Sequence, residues 1–141
     1  MDIGSFKQRM QSSVNELINP LSYYEWINKN TTLQGMPYTT DRYPFQKQIM
    51  NDMSRELACI KPSQVGLTEL QLRKALAFVA RNPYRNLIYT MPNEDMRKRV
   101  YQNRLLSILT NDKVFHTRNA EGKKSIRSIE ITEVGTSQML M

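Results

Sequence analysis

Three residues of one short segment have the types and spacing that phosphate binding requires. Gly66 stands two positions before Thr68, and Lys61 begins the segment, which lies between an apolar run at 57–60 and an apolar helical pattern. A phosphate-binding loop needs backbone N–H groups curled around the phosphates, a helix N-terminus pointing at them and a hydroxyl that holds Mg²⁺. Gly66 permits the tight approach, and Thr68 supplies the hydroxyl. The alternative interpretation is an ordinary turn before a helix that Thr68 caps.

Two positions depart from the usual pattern of Gly, four residues, Gly, Lys and Ser or Thr. Lys61 occupies the place of the first glycine, and Leu67 occupies the place of the lysine. The cation is therefore present at the other end of the loop. Because lysine has a flexible four-carbon stem, Lys61 can reach the β and γ phosphates from the opposite side.

The spacing of apolar residues predicts the elements that position this loop. Helices are predicted at 5–18, 22–27, 45–55, 68–81 and 94–109, and strands at 57–60, 87–91, 113–117 and 126–134. The strand, helix and strand between 57 and 91 predict a right-handed βαβ unit in a parallel sheet. In the helix at 45–55 the buried side is expected to carry Phe45, Ile49, Met50 and Met53.

Two other local features are recognisable. Ser22 and Glu25 have the spacing of a capping box at the start of a short helix. The stretch at 28–43 is rich in Thr, Gly, Pro and Asn and is expected to be a loop.

Two segments together resemble a known family. They are Tyr43-Pro44-Phe45-Gln46-Lys47-Gln48-Ile49 and Ile60-Lys61-Pro62-Ser63-Gln64-Val65-Gly66-Leu67-Thr68-Glu69, and they resemble the N-terminal ATPase region of the large terminase subunit of tailed bacteriophages, most closely its lambda-like branch. In that branch the loop lysine commonly stands at the start of the loop, as Lys61 does. The segment at 87–93 resembles the family's second strand and turn, and Trp26 is a weaker match. The resemblance covers about residues 20–117.

The resemblance implies an α/β fold of the P-loop NTPase class, with a parallel sheet and flanking helices. It places an N-terminal helical and loop segment at 1–42 and the front part of an ATPase domain at 43–141. The implied cofactors are ATP and Mg²⁺, with the Thr68 hydroxyl on the metal. The implied nucleotide-binding residues are Lys61, Ser63, Gln64, Val65, Gly66, Leu67, Thr68, Gln46 and Tyr43.

Individual roles follow from the same resemblance. Gln46 corresponds to the glutamine that reads the adenine edge, since an amide both donates and accepts. Tyr43 or Phe45 stacks on the base, although core packing is the simpler expectation for Phe45. Gln64 either orients a phosphate oxygen or water, or is an ordinary surface amide.

The resemblance also implies partners and a setting. These are double-stranded DNA, the small terminase subunit and the portal, with homo-oligomerisation in the full protein, in the host cytoplasm and without a membrane. The function implied is ATP-driven translocation of DNA into the procapsid.

Other acidic residues do not supply the rest of an ATPase site. ATP hydrolysis in this class needs an apolar strand ending in acidic residues, but Glu94 and Asp95 begin a helix, and Glu130 and Glu133 lie within a predicted strand. A nuclease cluster is also absent from the sequence. We therefore expect no catalytic residue in this chain, which looks like the front portion of a longer protein that binds nucleotide better than it cleaves it.

Charge is distributed unevenly along the chain and leaves other interpretations open. Fourteen of the 20 Lys and Arg residues but only seven of the 13 acidic ones lie at 61–141, so that part carries the whole net charge of +7. This excess favours a polyanionic partner, or it is a solvated basic surface. Arg97, Lys98, Arg99 and Arg104, with Tyr101, either follow a DNA backbone or form a solvated helix face.

Two rival functions follow. One is a small basic nucleic-acid-binding module, and the other is the N-terminal part of a helicase-like ATPase, against which Leu67 counts.

The single cysteine and the single histidine carry no chemistry that can be recognised. Cys59 falls in the apolar run at 57–60 and is expected to be a small core residue. His116 falls in a predicted strand with no cysteine nearby and is expected to be a surface or half-buried residue. One cysteine excludes an intrachain disulfide and a multi-cysteine zinc site, and an intracellular setting is expected.

Overall fold

The computed structural model describes residues 7, 10, 11, 20–82 and 84–115, together with the backbone of 131–134 and 137–140. The helices are α1 (Tyr23–Asn30), α2 (Phe45–Asn51), α3 (Leu67–Arg81), α4 (Glu94–Val100) and α5 (Leu106–Asn111). A π-helical turn at Tyr101–Leu105 joins α4 to α5, and a 3₁₀ turn follows at Lys113–Phe115. The strands are β1 (Thr32–Leu33), β2 (Met36–Pro37), β3 (Asn86–Ile88), β4 (Ile131–Val134) and β5 (Ser137–Leu140).

The capping box that begins α1 is confirmed. The Ser22 backbone N–H donates to Glu25 Oε2 at 2.9 Å, and the Glu25 N–H donates to Ser22 Oγ at 3.3 Å. After α1 the predicted loop contains a short antiparallel hairpin of β1 and β2. Its two-residue turn places Gln34 and Gly35 at φ of 54° and 80°, the left-handed conformation that such tight hairpins favour.

Helix α3 lies at the centre of the structure and is buried on two sides. One side joins the apolar cluster of α5, the π-helical turn and the 3₁₀ turn, through Leu72, Leu76 and Val79. The other joins the cluster of α1 and α2 through Leu67 and Leu70. Trp26 packs against both clusters. The apolar helix predicted at 68–81 is therefore confirmed as the shared core element.

A mixed three-stranded sheet has the order β3, β5, β4. Strand β3 pairs in parallel with β5, with Leu87 opposite Met139, while β4 and β5 form an antiparallel pair. The chain is thus a mixture of helix and strand. The predicted strand at 87–91 is present in part, because β3 ends at Ile88, and the predicted strand at 126–134 is present over its described part, Ile131–Val134.

The strand predicted at 57–60 is wrong, and with it the predicted βαβ unit. Leu57 is 49% exposed and Ile60 fully exposed, and Cys59 is exposed rather than part of a buried strand. Four apolar residues are too few to distinguish a strand from an irregular segment. The parallel partner of β3 is β5, which comes from the opposite end of the described chain.

Two further predictions need correction. Helix α2 ends at Asn51 rather than near 55, and Phe45 and Met53, predicted to be buried, are 48% and 52% exposed, whereas Gln46 is buried beside Met50. Residues 113–115 form a 3₁₀ turn instead of a strand, because the Phe115 N–H donates to the Asp112 carbonyl and the Phe115 ring packs against Trp26.

Several predictions fall on residues outside the described ones. These concern His116, Thr117, 126–130 with Glu130, and most of the helix at 5–18, of which Lys7, Met10 and Gln11 are helical. Among the helices that the structure describes, none combines the length and the apolar character that a membrane span requires.

The packing difference between two isoleucines tests the corrected fold. Ile27 is fully buried, so Ile27→Ala should lower the free energy of unfolding by about 2–5 kcal/mol. Ile60 is fully exposed, so Ile60→Ala should change it by less than about 0.5 kcal/mol. Urea unfolding of both variants measures the difference. A loss at Ile60 that matches the loss at Ile27 would show that 57–60 is packed as a strand after all.

Candidate functional site

The loop before α3 presents an open helix N-terminus. Gln64 and Gly66 have φ of 59° and 69°, so two left-handed residues turn the backbone immediately before the helix. Gly66 is the N-cap residue directly before α3, and its carbonyl accepts a hydrogen bond from the Leu70 N–H at 3.1 Å. No side chain caps the helix. The first backbone N–H groups of a helix have no partner within the helix and carry its positive dipole end. Such an arrangement suits an anion.

The structure brings together the two sequence segments that carry the predicted site. The Tyr43 hydroxyl donates to the Gln64 carbonyl at 3.2 Å, and Gln46 Nε2 donates to the Val65 carbonyl at 2.5 Å. Tyr43 is half-buried, with its ring edge-on to Phe45 and the Arg42 guanidinium over it. Helix α2, through Gln46, and Tyr43, two residues before the helix, therefore hold the backbone of the loop in place.

Gln46 is held at both ends of its amide. It is 3% exposed, and its Oε1 accepts a hydrogen bond from the Tyr38 hydroxyl at 3.0 Å. Burial raises the pKa of Tyr38 to about 12, so this hydroxyl stays protonated and remains a donor at physiological pH. A chain of hydrogen bonds thus runs from Tyr38 through Gln46 to Val65, and the side chain of Gln46 supports the loop.

The remaining predicted site residues lie along the same segment. Lys61 and Ser63 are exposed, and within the described part of the chain Lys61 Nζ bonds only the neighbouring Pro62 carbonyl, at 3.3 Å. Leu67 is buried in the core, so the position where most phosphate loops carry lysine faces the interior. Thr68 is half-buried, and its hydroxyl has no hydrogen-bond partner within the described chain.

Thr68 borders a cleft of about 590 Å³ between α3 and the chain from Leu87 to Met91. Gln71 and Lys74, one and two turns further along α3, line the same cleft, and sequence reasoning missed both. Lys74 Nζ donates to the Ile49 and Asp52 carbonyls, and burial lowers the pKa of this lysine. The spacing of Gln71 and Lys74 from Thr68, which places all three on one face of the predicted helix, was the sequence signal that could have identified them.

A buried charge network on the other side of α3 was also missed. Arg73 is 1% exposed and donates to Glu69 at 2.8 Å, to the Thr32 carbonyl at 2.8 Å and to Asp112 at 3.4 Å. The spacing of Glu69 and Arg73 signals a helical ion pair. Nothing local in the sequence signals Asp112, which lies 39 residues further along the chain.

The basic cluster on α4 is partly neutralised. Glu94 pairs with Lys98 at 2.7 Å and with Arg97 at 3.8 Å, and these charges lower the pKa of Glu94. Tyr101, grouped with these residues as a candidate DNA contact, is buried in the core with Leu105, Ile108 and Leu109. Among the residues that the structure describes, no group of three or more His, Cys, Asp or Glu residues is placed to hold a metal ion.

Comparison with known protein families gives a match. The sequence model of a family described as phage terminase large subunit gpA, ATPase domain, matches residues 33–139, well over half of the chain. No curated protein and no solved structure matches the chain.

Two glycines with positive φ test how tightly the loop is held. Gly35→Ala adds a Cβ in open space, so only backbone strain of about 1 kcal/mol is expected. Gly66→Ala places its Cβ 3.0 Å from Gln46 Nε2, which the Val65 carbonyl holds, so a greater loss of unfolding free energy is expected. Denaturant unfolding of both variants measures the difference.

A double variant identifies the source of that difference. In Gln46→Ala the crowded amide is gone, so adding Gly66→Ala should then cost no more than Gly35→Ala does. If the extra loss persists without the Gln46 side chain, the crowding described here is not its cause.

Proposed function

The chain belongs to the family of phage terminase large subunit gpA ATPase domains, and from that premise we propose that it binds Mg-ATP as part of a viral DNA-packaging motor. The observation that carries the proposal is the junction of the Tyr43–Gln46 segment with the loop, through the hydrogen bonds to Gln64 and Val65. The bonded residues are 21 positions apart for Tyr43 and Gln64 and 19 positions apart for Gln46 and Val65. The two segments meet at an uncapped helix N-terminus.

The residues of the loop fit a triphosphate. The N–H groups at Leu67 and Thr68 begin α3 without a capping side chain, and the left-handed Gly66 lets the phosphates approach the backbone. Lys61 is exposed and engaged only with its neighbouring carbonyl, so its ammonium is available to the β and γ phosphates. ATP bound here supplies the transferable phosphoryl group, and Mg²⁺ neutralises its charge.

Thr68 is the metal-binding residue in this proposal. Its hydroxyl has no partner in the described chain and lies at the edge of a cleft, where Mg²⁺ on the phosphates can reach it. Ser63, Gln64 and Val65 contribute the backbone of the loop, and Leu67 anchors that backbone in the core.

The adenine end of the nucleotide is assigned to the aromatic side of the loop. Tyr43 is half-buried and Phe45 is 48% exposed, and together they offer a ring surface beside Gln64. Gln46, the base-reading residue implied by the resemblance, bonds the loop backbone and Tyr38 in the structure. We assign Gln46 to the site because its side chain bonds the Val65 carbonyl. To form a hydrogen bond with adenine, the Gln46 amide would have to rotate away from that carbonyl.

The partners proposed for the whole motor are those of the family. They are double-stranded DNA, the small terminase subunit and the portal, with further copies of the large subunit, in the cytoplasm of the host. Residues 43–141 are proposed as the front part of the ATPase domain, with a parallel sheet of P-loop type, and residues 1–42 as a preceding helical and loop segment.

The test of the proposal compares two lysines. Lys61→Ala should weaken binding of Mg-ATP about tenfold or more, because it removes a charge-assisted contact with the phosphates. Lys47→Ala is the matched control, since Lys47 is also an exposed lysine and its ammonium lies over the Tyr24 ring of α1. Isothermal titration calorimetry of both variants gives the affinities. Equal affinities would remove Lys61 from the site.

Binding measurements on the unmodified chain also distinguish the proposed nucleotide-binding function from that of a basic nucleic-acid-binding module. If the chain gives no heat with Mg-ATP but binds DNA in a salt-sensitive manner, a basic nucleic-acid-binding module is the better description, because that affinity arises from counterion release alone.

The metal role of Thr68 has its own test. Thr68→Val removes the hydroxyl and keeps the shape, so the gain in nucleotide affinity that Mg²⁺ provides should be lost. Thr68→Ser keeps the hydroxyl and should retain that gain. Titrations with and without Mg²⁺ measure it, and a gain that Thr68→Val retains would exclude the hydroxyl as a metal ligand.

A further inference from the structure

A second cleft lies on the opposite side of α3 from Thr68. It has a volume of about 510 Å³ and is lined by the β1–β2 hairpin, by α3 and by the helix that runs from α4 through the π-helical turn to α5. Its lining residues include Arg73, Arg99, Asn103, Arg104, Ser107 and Asn111. Three of these six are arginines and the other three are uncharged polar residues. Nothing in the proposed nucleotide site uses them.

Glu69 is the one acidic residue among the described residues that line this cleft, and its charge is already neutralised. Glu69 Oε1 accepts from Arg73 Nη2 at 2.8 Å, and Glu69 Oε2 lies 3.3 Å from Arg104 Nη1. Arg104 retains further N–H donors, and its side chain is 49% exposed. Within the described chain, exposed Arg99 bonds the Asp95 carbonyl alone, at 3.4 Å. Asn111 Nδ2 already donates to Ser107 Oγ at 3.2 Å, and the amide of Asn103 offers both donors and an acceptor. The charge that remains in the described lining is therefore positive.

A buried donor of one residue that lines the cleft lacks a partner. Arg73 is 1% exposed, and although its terminal nitrogens bond Glu69, Thr32 and Asp112, its Nε has no hydrogen-bond partner among the described residues. Buried N–H groups are nearly always satisfied, and an orphaned one calls for an explanation. An oxygen of a bound anion would provide the missing acceptor.

The shape of the helix fits an extended row of anionic groups. Arg99, Asn103, Ser107 and Asn111 recur at every fourth position, so they line one face over about 18 Å. The π-helical turn at Tyr101–Leu105 lies within this stretch, and such turns occur frequently at functional sites. Guanidinium groups bind phosphate in a forked geometry.

From these observations we infer that this cleft is a phosphate-binding site, separate from the loop at the start of α3. The ligand is a phosphate-bearing molecule, whose phosphate comes either from a nucleic-acid backbone or from a small free phosphate. The inference does not rest on the proposed nucleotide site.

Neighbouring pairs of residues on one helix provide the test. Arg99 lines the cleft and Arg97 does not, while Asn103 lines it and the exposed Gln102 does not. Arg99→Gln should weaken phosphate binding about tenfold because a charge-assisted contact is lost. Asn103→Asp should weaken it by about the same factor because the new carboxylate repels phosphate. Arg97→Gln and Gln102→Glu make the same charge changes, and salt at about 0.15 M screens them beyond about 8 Å, so less than about a threefold effect is expected.

Two probes identify the source of the phosphate. A fluorescein-labelled single-stranded oligonucleotide is titrated by anisotropy, and inorganic phosphate is titrated by calorimetry, on the full chain and on each variant. Losses confined to Arg99→Gln and Asn103→Asp support the site. If these losses appear with the oligonucleotide alone, the ligand is a phosphodiester chain, and if they appear with inorganic phosphate, it is a small phosphate.

Other results would overturn the inference. Absence of binding by both probes would do so, as would losses that are equal within each pair of neighbouring variants. Because the proposed loop site can also bind phosphate, the titrations are repeated in a Lys61→Ala background. Losses for Arg99→Gln and Asn103→Asp that persist in that background belong to this cleft, so a failure of the nucleotide site is distinguishable from a failure of this one. Thermal unfolding of each variant checks that the fold is retained.

Discussion

The buried guanidinium of Arg73 joins three parts of the chain that are far apart in sequence. It bonds Glu69 within α3, the Thr32 carbonyl in β1 and Asp112 after α5, and it lies 4.7 Å from the centre of the Tyr38 ring. Removal of one partner of a buried ion pair typically costs about 3–5 kcal/mol, because the other charge stays buried. The hairpin, the central helix and the end of α5 therefore depend on one charged group.

Tyr38 connects this network to the loop. Its ring faces Arg73, and its hydroxyl donates to Gln46, which in turn donates to the Val65 carbonyl. The phosphate loop is thus held through its backbone, while Lys61 and Thr68 remain without strong partners in the described chain. A rigid backbone with uncommitted side chains is the arrangement that favours binding, since less ordering is required when the ligand arrives.

Sequence patterns predicted correctly those features that residues within a few positions of one another determine. These features are the capping box of Ser22 and Glu25, the apolar helix α3 and the start of α4 at Glu94. The pairing of Tyr43 and Gln46 with the loop was indicated by a family resemblance, although its hydrogen bonds were not.

The rest depends on distant partners. The run at 57–60 has the composition of a strand, but β3 pairs with β5. Met50 is buried as predicted, whereas Phe45 is exposed and Gln46 is buried, because the Gln46 amide finds an acceptor and a donor outside α2. Asp112 bonds Thr32 across 80 residues, which no periodicity reveals. Such contacts are set by tertiary packing and not by local propensity.

The position of α3 between two apolar clusters has a consequence for how the chain opens. Neither cluster can lose its packing without exposing one side of the same helix, so the two do not form separate cooperative units. The amides in the middle of α3 should exchange with solvent only when both clusters come apart. The exposed segment at 53–60 lies outside this unit, and local opening there leaves the helix untouched.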